Sequence, residues 1–347
     1  MQTSTTTRRE ALRAGAAAFA ASVVPGALRA AAPASQPHKS IWAYLLHLGC
    51  NLWCDWDYAW PTGLEYANMT PNLRFDEKLW NEMLERMVDA GLNMVVIDLA
   101  DGVRYESHPE IAVKNAWSVQ RLREELARLR GMGLEPIPKL NFSATHDVWL
   151  KDYARQVSTK TYYAVCRDLI AEVAALFEKP RFFHLGMDEE TAAHQASYQY
   201  AVVRQHDLWW HDFLFYVELV EKSGSRPWIW SDYVWNHPRE FLERMPRRVL
   251  QSNWYYGTKF DRTVTAVDAY HQLEKHNYEQ VPTASNHDSP DSLALTVEYC
   301  SRHIPRQRLL GFMQTPWRPT TEQYRKRHLD AIEQVKRAVR AWESKGT

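Results

Sequence analysis

From residue 40 onward, short apolar segments alternate with amphipathic helical segments, and this unit repeats eight times. Short apolar runs bounded by turn residues predict strands, and apolar residues spaced three or four apart predict helices. The predicted strands are 41–48, 93–98, 134–142, 181–186, 226–231, 248–253, 280–285 and 309–314. The predicted helices are 76–90, 117–133, 162–179, 206–223, 238–245, 262–276, 290–303 and 322–342.

Strands that alternate with helices form parallel sheets, and eight such units predict a closed (β/α)8 TIM barrel. An open doubly wound sheet is the alternative. Sheets of that kind usually carry a glycine-rich phosphate turn after the first strand, and this chain has none there. The long segment 49–73 between the first strand and the first helix carries three tryptophans, and we expect it to cover the mouth of the barrel.

The first forty residues have the pattern of an export signal. The pair Arg8 and Arg9 precedes an apolar stretch, and the Ala-Pro-Ala sequence before Ser35 suits signal peptidase. The segment resembles a twin-arginine (Tat) signal in which Ala11 replaces the usual Phe, so the general secretory (Sec) route stays open. We expect 1–34 to be a signal peptide that meets the export machinery transiently, and 35–347 to be a single (β/α)8 domain. The mature protein is then periplasmic or secreted, without a membrane span.

The amino-acid composition indicates which kinds of molecule the protein could bind. The 42 Lys and Arg balance the 42 Asp and Glu, so the chain lacks the basic excess that binding to nucleic acid requires. Trp and Tyr number 15 and 17 against 11 Phe. Both side chains combine a flat apolar face with a polar group, as a sugar site needs, although a large barrel also buries many aromatics. Four cysteines are too few for a disulfide scaffold, and we expect buried thiols unless Cys50 and Cys54 pair.

Polar or aromatic side chains follow every predicted strand. Functional residues of such barrels stand at the C-terminal strand ends, so we expect these side chains to surround one site. They are His47, Asn51, Trp53, Asp98, Asp101, Arg104, Lys139, Asn141, His146, Asp147, His184, Asp188, Glu189, Glu190, Trp230, Asp232, Asn253, Trp254, Tyr255, Ser285, Asn286, His287, Asp288, Gln314 and Trp317.

Three consecutive acids, Asp188, Glu189 and Glu190, end the apolar fourth strand. The helix dipole and free N–H groups of a helix N-terminus stabilise acids, which would account for Glu190. Stabilisation by a helix N-terminus does not account for an Asp-Glu pair beside His184 at a barrel mouth. Two carboxylates in one desolvated cleft cannot both ionise freely, so one of them is expected to have a raised pKa and to act as a general acid.

The segment HLGMDE (184–189) resembles the H-x-G-G-D-E signature of family 20 glycoside hydrolases, the β-N-acetylhexosaminidases, with Met187 in place of the second Gly. The resemblance implies that the signature closes strand four of a (β/α)8 barrel. It also implies that Glu189 is the general acid/base and that Asp188 orients the acetamido group of a carbohydrate substrate. That group is itself the nucleophile, an exception to the usual pair of carboxylates. The resemblance implies no cofactor and no metal.

Three later segments resemble the same family, PWIWSDYVW (227–235), VLQSNWYYG (249–257) and MQTPW (313–317). They imply that Trp230, Trp254 and Trp317 wall the acetamido pocket. The family's small N-terminal domain, its Arg after strand one, its Tyr after strand seven and its acid after the last Trp are missing. His47 or Arg104 would then replace the Arg, and Tyr255 or Tyr256 the Tyr. Further candidates for substrate binding are Asn141, His184, Asp232 and His287.

Other mechanisms stay open at this point. Asp288 or Asp232 could act as nucleophile or base in a direct displacement, and Lys139 could form a Schiff base, although an ion pair suits an acid-rich site better. The protein could also be a sugar-binding barrel without catalysis. A metal-dependent hydrolase or isomerase would use ligands from the set His47, His146, His184, His287, Asp98 and Asp188.

Overall fold

The computed structural model describes residues 39–344, so the expected signal peptide lies outside the described part of the chain. Eight parallel strands form the central sheet: β1 (Ile41–His47), β2 (Met94–Asp98), β3 (Glu135–Lys139), β4 (Phe182–His184), β5 (Arg226–Trp230), β6 (Leu250–Ser252), β7 (Thr283–Ser285) and β8 (Gly311–Thr315). Their order is β6-β5-β4-β3-β2-β1-β8-β7. Bridges from Gln251 to Gln280 and from Trp254 to Thr283 join β6 to β7, so the sheet closes on itself. The predicted (β/α)8 barrel is confirmed, and the open-sheet alternative is wrong.

Helices surround the barrel: α1 (Glu77–Asp89), α2 (Val119–Gly131), α3 (Lys160–Leu176), α4 (His206–Lys222), α5 (Tyr233–Asn236), α6 (Pro238–Arg244), α7 (Thr265–Lys275), α8 (Ser292–His303) and α9 (Arg325–Glu343). Side-chain caps set three of the helix starts, because Asp76, Ser118 and Thr159 accept hydrogen bonds from the backbone N–H groups of Leu79, Arg121 and Tyr162. Short 3-10 turns occupy Glu65–Ala67, Ala100–Gly102, Pro109–Ile111, Val148–Gln156, Ala193–Gln195 and Glu322–Tyr324. A two-residue ladder pairs Val103–Arg104 with Trp117–Ser118.

The core has two layers because successive strand residues point to opposite faces. In β1, Ile41, Ala43 and Leu45 belong to the cluster inside the barrel, while Trp42 and Leu46 belong to the layer between sheet and helices. Both faces are therefore dry, which explains why the strands are continuous apolar runs in the sequence.

The four cysteines are buried free thiols, and the Cys54 thiol donates to the Ala67 carbonyl oxygen at 3.4 Å rather than pairing with Cys50. Within residues 39–344, no helix has both the length and the apolar character needed to cross a bilayer.

Candidate active site

The loop that follows β4 holds the three acids in an unusual backbone conformation. Gly186, Met187 and Glu189 have φ angles of +71°, +74° and +55°. A Cβ on Gly186 would lie 2.0 Å from the Asn141 side-chain oxygen, so this position accepts only glycine. Met187, which stands where the family signature has glycine, is 1% exposed, and its buried side chain offsets part of the cost of its left-handed backbone.

Asp188 is fixed by residues that follow β3. The Asn141 side-chain amide donates to Asp188 Oδ1 at 2.7 Å, and the hydroxyls of Ser143 and Thr145 donate to the Asp188 carbonyl oxygen at 2.6 and 3.2 Å. The side-chain oxygen of Asn141 accepts a hydrogen bond from the backbone N–H of Met187 at 3.1 Å. The side chains after β3 therefore hold both the backbone and the carboxylate of the loop after β4.

Glu189 projects between two histidines. Its Oε2 lies 3.6 Å from His146 Nε2 and its Oε1 lies 3.5 Å from His194 Nε2. Burial by itself would raise the pKa of Glu189, but the hydrogen bond from His194 and the charges of both histidines outweigh burial and bring the pKa below its ordinary value. The contact with Glu189 correspondingly raises the pKa of His194. In the unliganded protein, Glu189 is therefore not the group with the raised pKa.

Asp232, at the end of β5, has the raised pKa instead. It is 7% exposed, and burial followed by repulsion from Asp188 raises its pKa to about 8. Its carboxyl accepts hydrogen bonds from the Glu189 backbone N–H at 2.8 Å and from Trp254 Nε1 at 3.3 Å. The raised pKa that the sequence predicts for one acid of the Asp188-Glu189 pair therefore belongs to Asp232 instead.

Glu190 points away from this site. Both of its carboxylate oxygens accept from the Arg204 guanidinium, at 2.8 and 2.7 Å, and one also accepts from the Ala144 backbone N–H at 3.1 Å. Arg204 is 2% exposed and also pairs with Asp212 at 3.1 Å. Glu190 therefore anchors the loop after β4 to the helical layer.

A cavity of about 560 Å³ lies over Asp188 and Glu189. Its walls come from the segment after β1 and from the loops after β3, β4, β6, β7 and β8, which is the C-terminal end of the barrel. The aromatic and titratable lining residues are Trp53, Tyr58, Trp60, Tyr66, His146, Asp188, Glu189, His194, Trp254, Tyr256, His287, Asp288 and Trp317.

One wall of the cavity is a connected aromatic surface. Trp254 stacks on Tyr256 with ring centroids 5.1 Å apart, and Trp317 Nε1 donates to the Tyr256 hydroxyl at 3.0 Å. Burial raises the pKa of Tyr256 well above its ordinary value, so its hydroxyl keeps its proton and can donate it in a hydrogen bond. A second hydrogen-bonded chain joins the Tyr66 hydroxyl to His287 Nε2 at 3.2 Å, and His287 Nδ1 to Asp288 at 2.7 Å.

The structure brings eight of the predicted site residues to the cavity surface, namely Trp53, His146, Asp188, Glu189, Trp254, His287, Asp288 and Trp317. Asn141 and Asp232 lie behind that surface and bond to the acid loop. The exposed Arg104 lies in the two-residue ladder and, like Tyr255, is not among the lining residues.

His47, His184 and Trp230 lie deeper, inside the barrel. Strand pairing places His47, Asp98, Lys139 and His184 side by side in one row across β1 to β4. The Lys139 ammonium pairs with Asp98, which favours the ion pair over a Schiff base, and both residues are almost wholly buried. Burial, reinforced by the Lys139 charge, lowers the pKa of His184 well below its ordinary value. Trp230 packs between His184 and Trp317, and a substrate role for these three residues stays a prediction.

Several lining residues were not singled out from the sequence as site residues: Tyr58, Trp60, Tyr66 and His194. Tyr58 and Trp60 lie in irregular backbone, and Tyr66 and His194 lie in three-residue 3-10 turns. Such segments are too short for strand or helix periodicity to show which way a side chain points. The density of aromatic residues in 49–73 was the available signal, and the expectation that this segment covers the barrel mouth agrees with its place in the lining.

The donor atoms of His146, Asp188 and Glu189 lie within 4.8 Å of one another and could hold a metal ion. His146 and Asp188 belong to the set of metal ligands that the sequence analysis considered, and Glu189 does not. One histidine with two carboxylates suits non-haem iron, zinc or manganese chemistry. The other members of that set, His47, His184, His287 and Asp98, do not join this group.

The fold is similar to that of solved β-N-acetylhexosaminidases. The enzyme from Bacteroides fragilis NCTC 9343 has a TM-score of 0.58 and 14% identity, over 86% of this chain and 66% of that chain. A family 20 exo-β-N-acetylglucosaminidase from Vibrio harveyi, solved with N-acetylglucosamine, has a TM-score of 0.56 and 12% identity, over 86% of this chain and 54% of that chain. Dispersin B has a TM-score of 0.54 and 13% identity, over 86% of this chain and 99% of that chain.

No protein-family model matches the chain, and a comparison with curated proteins gives no match either. The chain spans between 54% and 66% of the first structures that it resembles. At these identities the likeness concerns the fold alone. This chain has a (β/α)8 barrel like that of the family 20 β-N-acetylhexosaminidases.

Proposed function

We propose that this protein is a glycoside hydrolase that removes β-linked N-acetylhexosamine residues with the help of the substrate acetamido group. The observation that carries the proposal is the placement of Asp188 and Glu189. They are two adjacent acids with different neighbours at the end of β4, under a cavity walled by Trp254, Tyr256 and Trp317. The barrel resemblance to solved β-N-acetylhexosaminidases supports the same reaction class.

Asp188 is the partner of the acetamido group. Asn141 holds one carboxylate oxygen at 2.7 Å, which leaves the other free to accept the acetamido N–H. The Asp188 carboxylate then stabilises the positive charge that develops on nitrogen as the acetamido oxygen attacks the anomeric carbon. The Tyr256 hydroxyl donates to that oxygen and aims it, and the faces of Trp254 and Trp317 enclose the methyl group.

Glu189 is the general acid and base. In the first step it gives its proton to the glycosidic oxygen, the bond from the anomeric carbon to that oxygen breaks, and a cyclic oxazolinium intermediate forms. In the second step the Glu189 carboxylate takes a proton from water as the water opens the ring. Because the two histidines keep the pKa of Glu189 low, its protonated form belongs to acid pH, and we expect an acidic optimum.

The hydroxyl groups of the bound sugar meet a second set of polar atoms. Tyr66, His287 and Asp288 form a hydrogen-bonded chain in the cavity wall. These three side chains supply both donors and acceptors, and we assign them to the sugar hydroxyls. They would replace the Arg and the acid of the family pattern, which the present sequence lacks.

The direct test is hydrolysis of 4-nitrophenyl β-glycosides of N-acetylglucosamine, N-acetylgalactosamine, glucose and galactose. We expect turnover of the N-acetyl sugars, and a fall of roughly 10²- to 10⁴-fold in Glu189→Gln. Glu85→Gln is the matched control, because Glu85 is an exposed acid on α1. Equal turnover of the sugars without an acetamido group would contradict substrate assistance. Binding without turnover would indicate a non-catalytic sugar-binding barrel.

A metal-dependent reaction is the second candidate, and the cluster of His146, Asp188 and Glu189 is the observation that favours it. Treatment with EDTA distinguishes the glycosidase from the metal-dependent reaction. Under the glycosidase proposal, hydrolysis is unchanged after treatment with EDTA. Activity that disappears with EDTA and returns with a divalent cation would assign the reaction to the metal site.

The proposal includes export to the periplasm or the medium through the twin-arginine or Sec machinery. Its support is the sequence pattern of residues 1–34. Cell fractionation of a bacterial host tests it, with Arg8→Lys and Arg9→Lys together as the variant. Retention in the cytoplasm of this variant alone would assign the twin-arginine route, and cytoplasmic location of the unaltered chain would contradict export.

A further inference from the structure

We propose that Arg74, Arg318 and Arg327 form a binding site for an oxyanion group, a sulfate ester or a carboxylate, that the sugar in the cavity carries. The inference rests on the proposed function and adds a negatively charged substituent to the substrate.

The three guanidinium groups converge on one wall of the cavity, formed by Tyr66 and His287. These two residues line the cavity and are joined by a hydrogen bond of 3.2 Å. The Arg318 guanidinium lies over the Tyr66 ring, with its Cζ atom 3.7 Å from the ring centroid. Arg74 donates to the Tyr66 carbonyl oxygen at 2.5 Å. Arg327 donates to the carbonyl oxygen of the residue before His287 at 2.8 Å, so three positive charges meet at the same wall.

Within residues 39–344, no carboxylate pairs with these three guanidinium groups, and their hydrogen-bond acceptors are carbonyl oxygens. The second hydrogen bond of Arg74 goes to the Cys50 carbonyl oxygen at 2.7 Å. Arg318 donates to the Trp317 carbonyl oxygen at 2.9 Å. A carbonyl oxygen accepts a hydrogen bond without cancelling the charge of the donor, so a positive field remains at this wall.

The charge of Arg318 is destabilised in its surroundings. Burial lowers the pKa of Arg318, Tyr66 raises it, and repulsion from Arg327 lowers it again. The acid in the same wall, Asp288, bonds to His287 Nδ1 at 2.7 Å instead of to an arginine. An oxyanion beside Arg318 would relieve the repulsion from Arg327 and would accept charge-assisted hydrogen bonds, which are stronger than neutral ones.

Arg318 has donors that such a group can reach. A guanidinium carries five N–H groups in a planar fork that matches an oxyanion. Arg318 is 8% exposed, and none of its nitrogen atoms is an enclosed atom without a partner in the described part of the chain. The donors that Arg318 does not use inside the protein therefore reach solvent next to the Tyr66 ring.

The sequence at this position favours an anionic substituent. The family pattern has an acid after its last Trp, and this chain has Arg318 directly after Trp317. A carboxylate there would repel a negatively charged sugar, whereas a guanidinium attracts one. The substitution therefore inverts the charge that the substrate is expected to carry.

The test is calorimetric binding of anionic and neutral sugars to the full chain at constant ionic strength. The anionic sugars are N-acetylglucosamine 6-sulfate, N-acetylgalactosamine 4-sulfate and N-acetylmuramic acid, which carry their charge at different positions of the ring. We expect at least one of them to bind about tenfold more tightly than N-acetylglucosamine or N-acetylgalactosamine without the charged group. Arg318→Gln should remove this advantage and leave binding of the neutral sugars unchanged.

The matched control is Arg337→Gln, at an exposed arginine on α9, and it should keep the advantage of the anionic sugar. Circular dichroism and the melting temperature check that the variants fold. Arg327→Gln, at a half-buried position, should also reduce the advantage and tests the site if Arg318→Gln does not fold.

Equal affinity for every anionic sugar and its neutral counterpart would overturn the site, and so would an advantage that survives in Arg318→Gln. Inorganic sulfate that binds as tightly as the sulfated sugars would assign the arginines to a free anion and contradict their link to the sugar. Preferential binding of anionic sugars without hydrolysis of any glycoside refutes the hydrolase proposal alone. Hydrolysis of neutral glycosides without any preference for anionic sugars refutes the oxyanion site alone.

Discussion

The carboxylate of Glu190 and the guanidinium of Arg204 form a bidentate pair in which both side chains are almost wholly buried, with N–O distances of 2.8 and 2.7 Å. Glu189, the preceding residue, projects into the cavity instead. The left-handed backbone of Glu189, with a φ of +55°, accompanies this divergence of two neighbouring acids. One acid of the three therefore holds the loop, while the other two face the cavity.

The buried pair predicts opposite effects at these neighbouring positions. Glu190→Gln leaves the Arg204 charge short of a partner inside the protein, and we expect the free energy of unfolding to fall by roughly 3–5 kcal/mol. Glu189→Gln should change it by less than about 1 kcal/mol, since Glu189 is half-buried at the cavity. Urea denaturation of both variants measures the difference. Similar losses of stability in the two variants would refute this division of roles.

His194 is predicted to set the pH range of hydrolysis. A general acid works only while it is protonated, so activity falls as pH rises through the pKa of Glu189. His194 lowers that pKa, together with His146, so His194→Gln should raise it and move the basic limb of the kcat/KM profile to higher pH.

The control for this prediction is His211→Gln, a histidine exposed on α4. Its profile should coincide with that of the unaltered protein. If the basic limb stays in place in His194→Gln, or moves to lower pH, His194 does not hold Glu189 in its ionised form.

Tyr256 rather than Tyr255 is predicted to act on the acetamido group. Tyr256 lines the cavity and its oxygen already accepts from Trp317, so its own proton is available for the substrate. We expect Tyr256→Phe to lower kcat for N-acetyl substrates on the order of 10²-fold, as loss of one oriented donor does. Tyr255→Phe should cost much less. A larger loss of kcat in Tyr255→Phe than in Tyr256→Phe would assign the role to Tyr255, the alternative that the sequence analysis left open.

Asp147 is predicted to make stability depend on pH. Burial raises its pKa to about 8, and its Oδ2 accepts from the Tyr162 hydroxyl at 2.7 Å. In the unfolded chain an aspartate loses its proton near pH 4. Between these values only the folded protein keeps the proton, so this group lowers stability as pH rises from about 4 to about 8.

Asp147→Asn removes that titration. Its free energy of unfolding should fall less steeply over this pH range, by up to about 1.4 kcal/mol per pH unit. Asp152→Asn, at an exposed position nearby, is the control and should follow the unaltered protein. Parallel curves for the protein and Asp147→Asn would show that Asp147 has an ordinary pKa.

The regular parts of the fold could be predicted because their periodicity is local. Each barrel strand lies within or beside its predicted apolar run, and α2 (Val119–Gly131) lies within the helix predicted over 117–133. The same periodicity predicts where β4 ends, and therefore predicts that Asp188 and Glu189 lie at the C-terminal rim of the barrel.

The direction of side chains beyond the strand ends could not be predicted in this way. His184 and Trp230 are the last residues of β4 and β5, and both are buried below the cavity, whereas Trp254, two residues past β6, lines it. The choice between Tyr255 and Tyr256 is of the same kind, because a loop has no repeating period to assign a face.

Apolar periodicity and chain order are local properties, so they suffice to predict the eight-fold alternation, the (β/α)8 barrel and the acids at the end of β4. The pairing of Arg204 with Glu190, the contact of His194 with Glu189 and the raised pKa of Asp232 are visible only in the folded protein. These depend on burial and on contacts between residues far apart in the chain, and such contacts exist only once the barrel has closed.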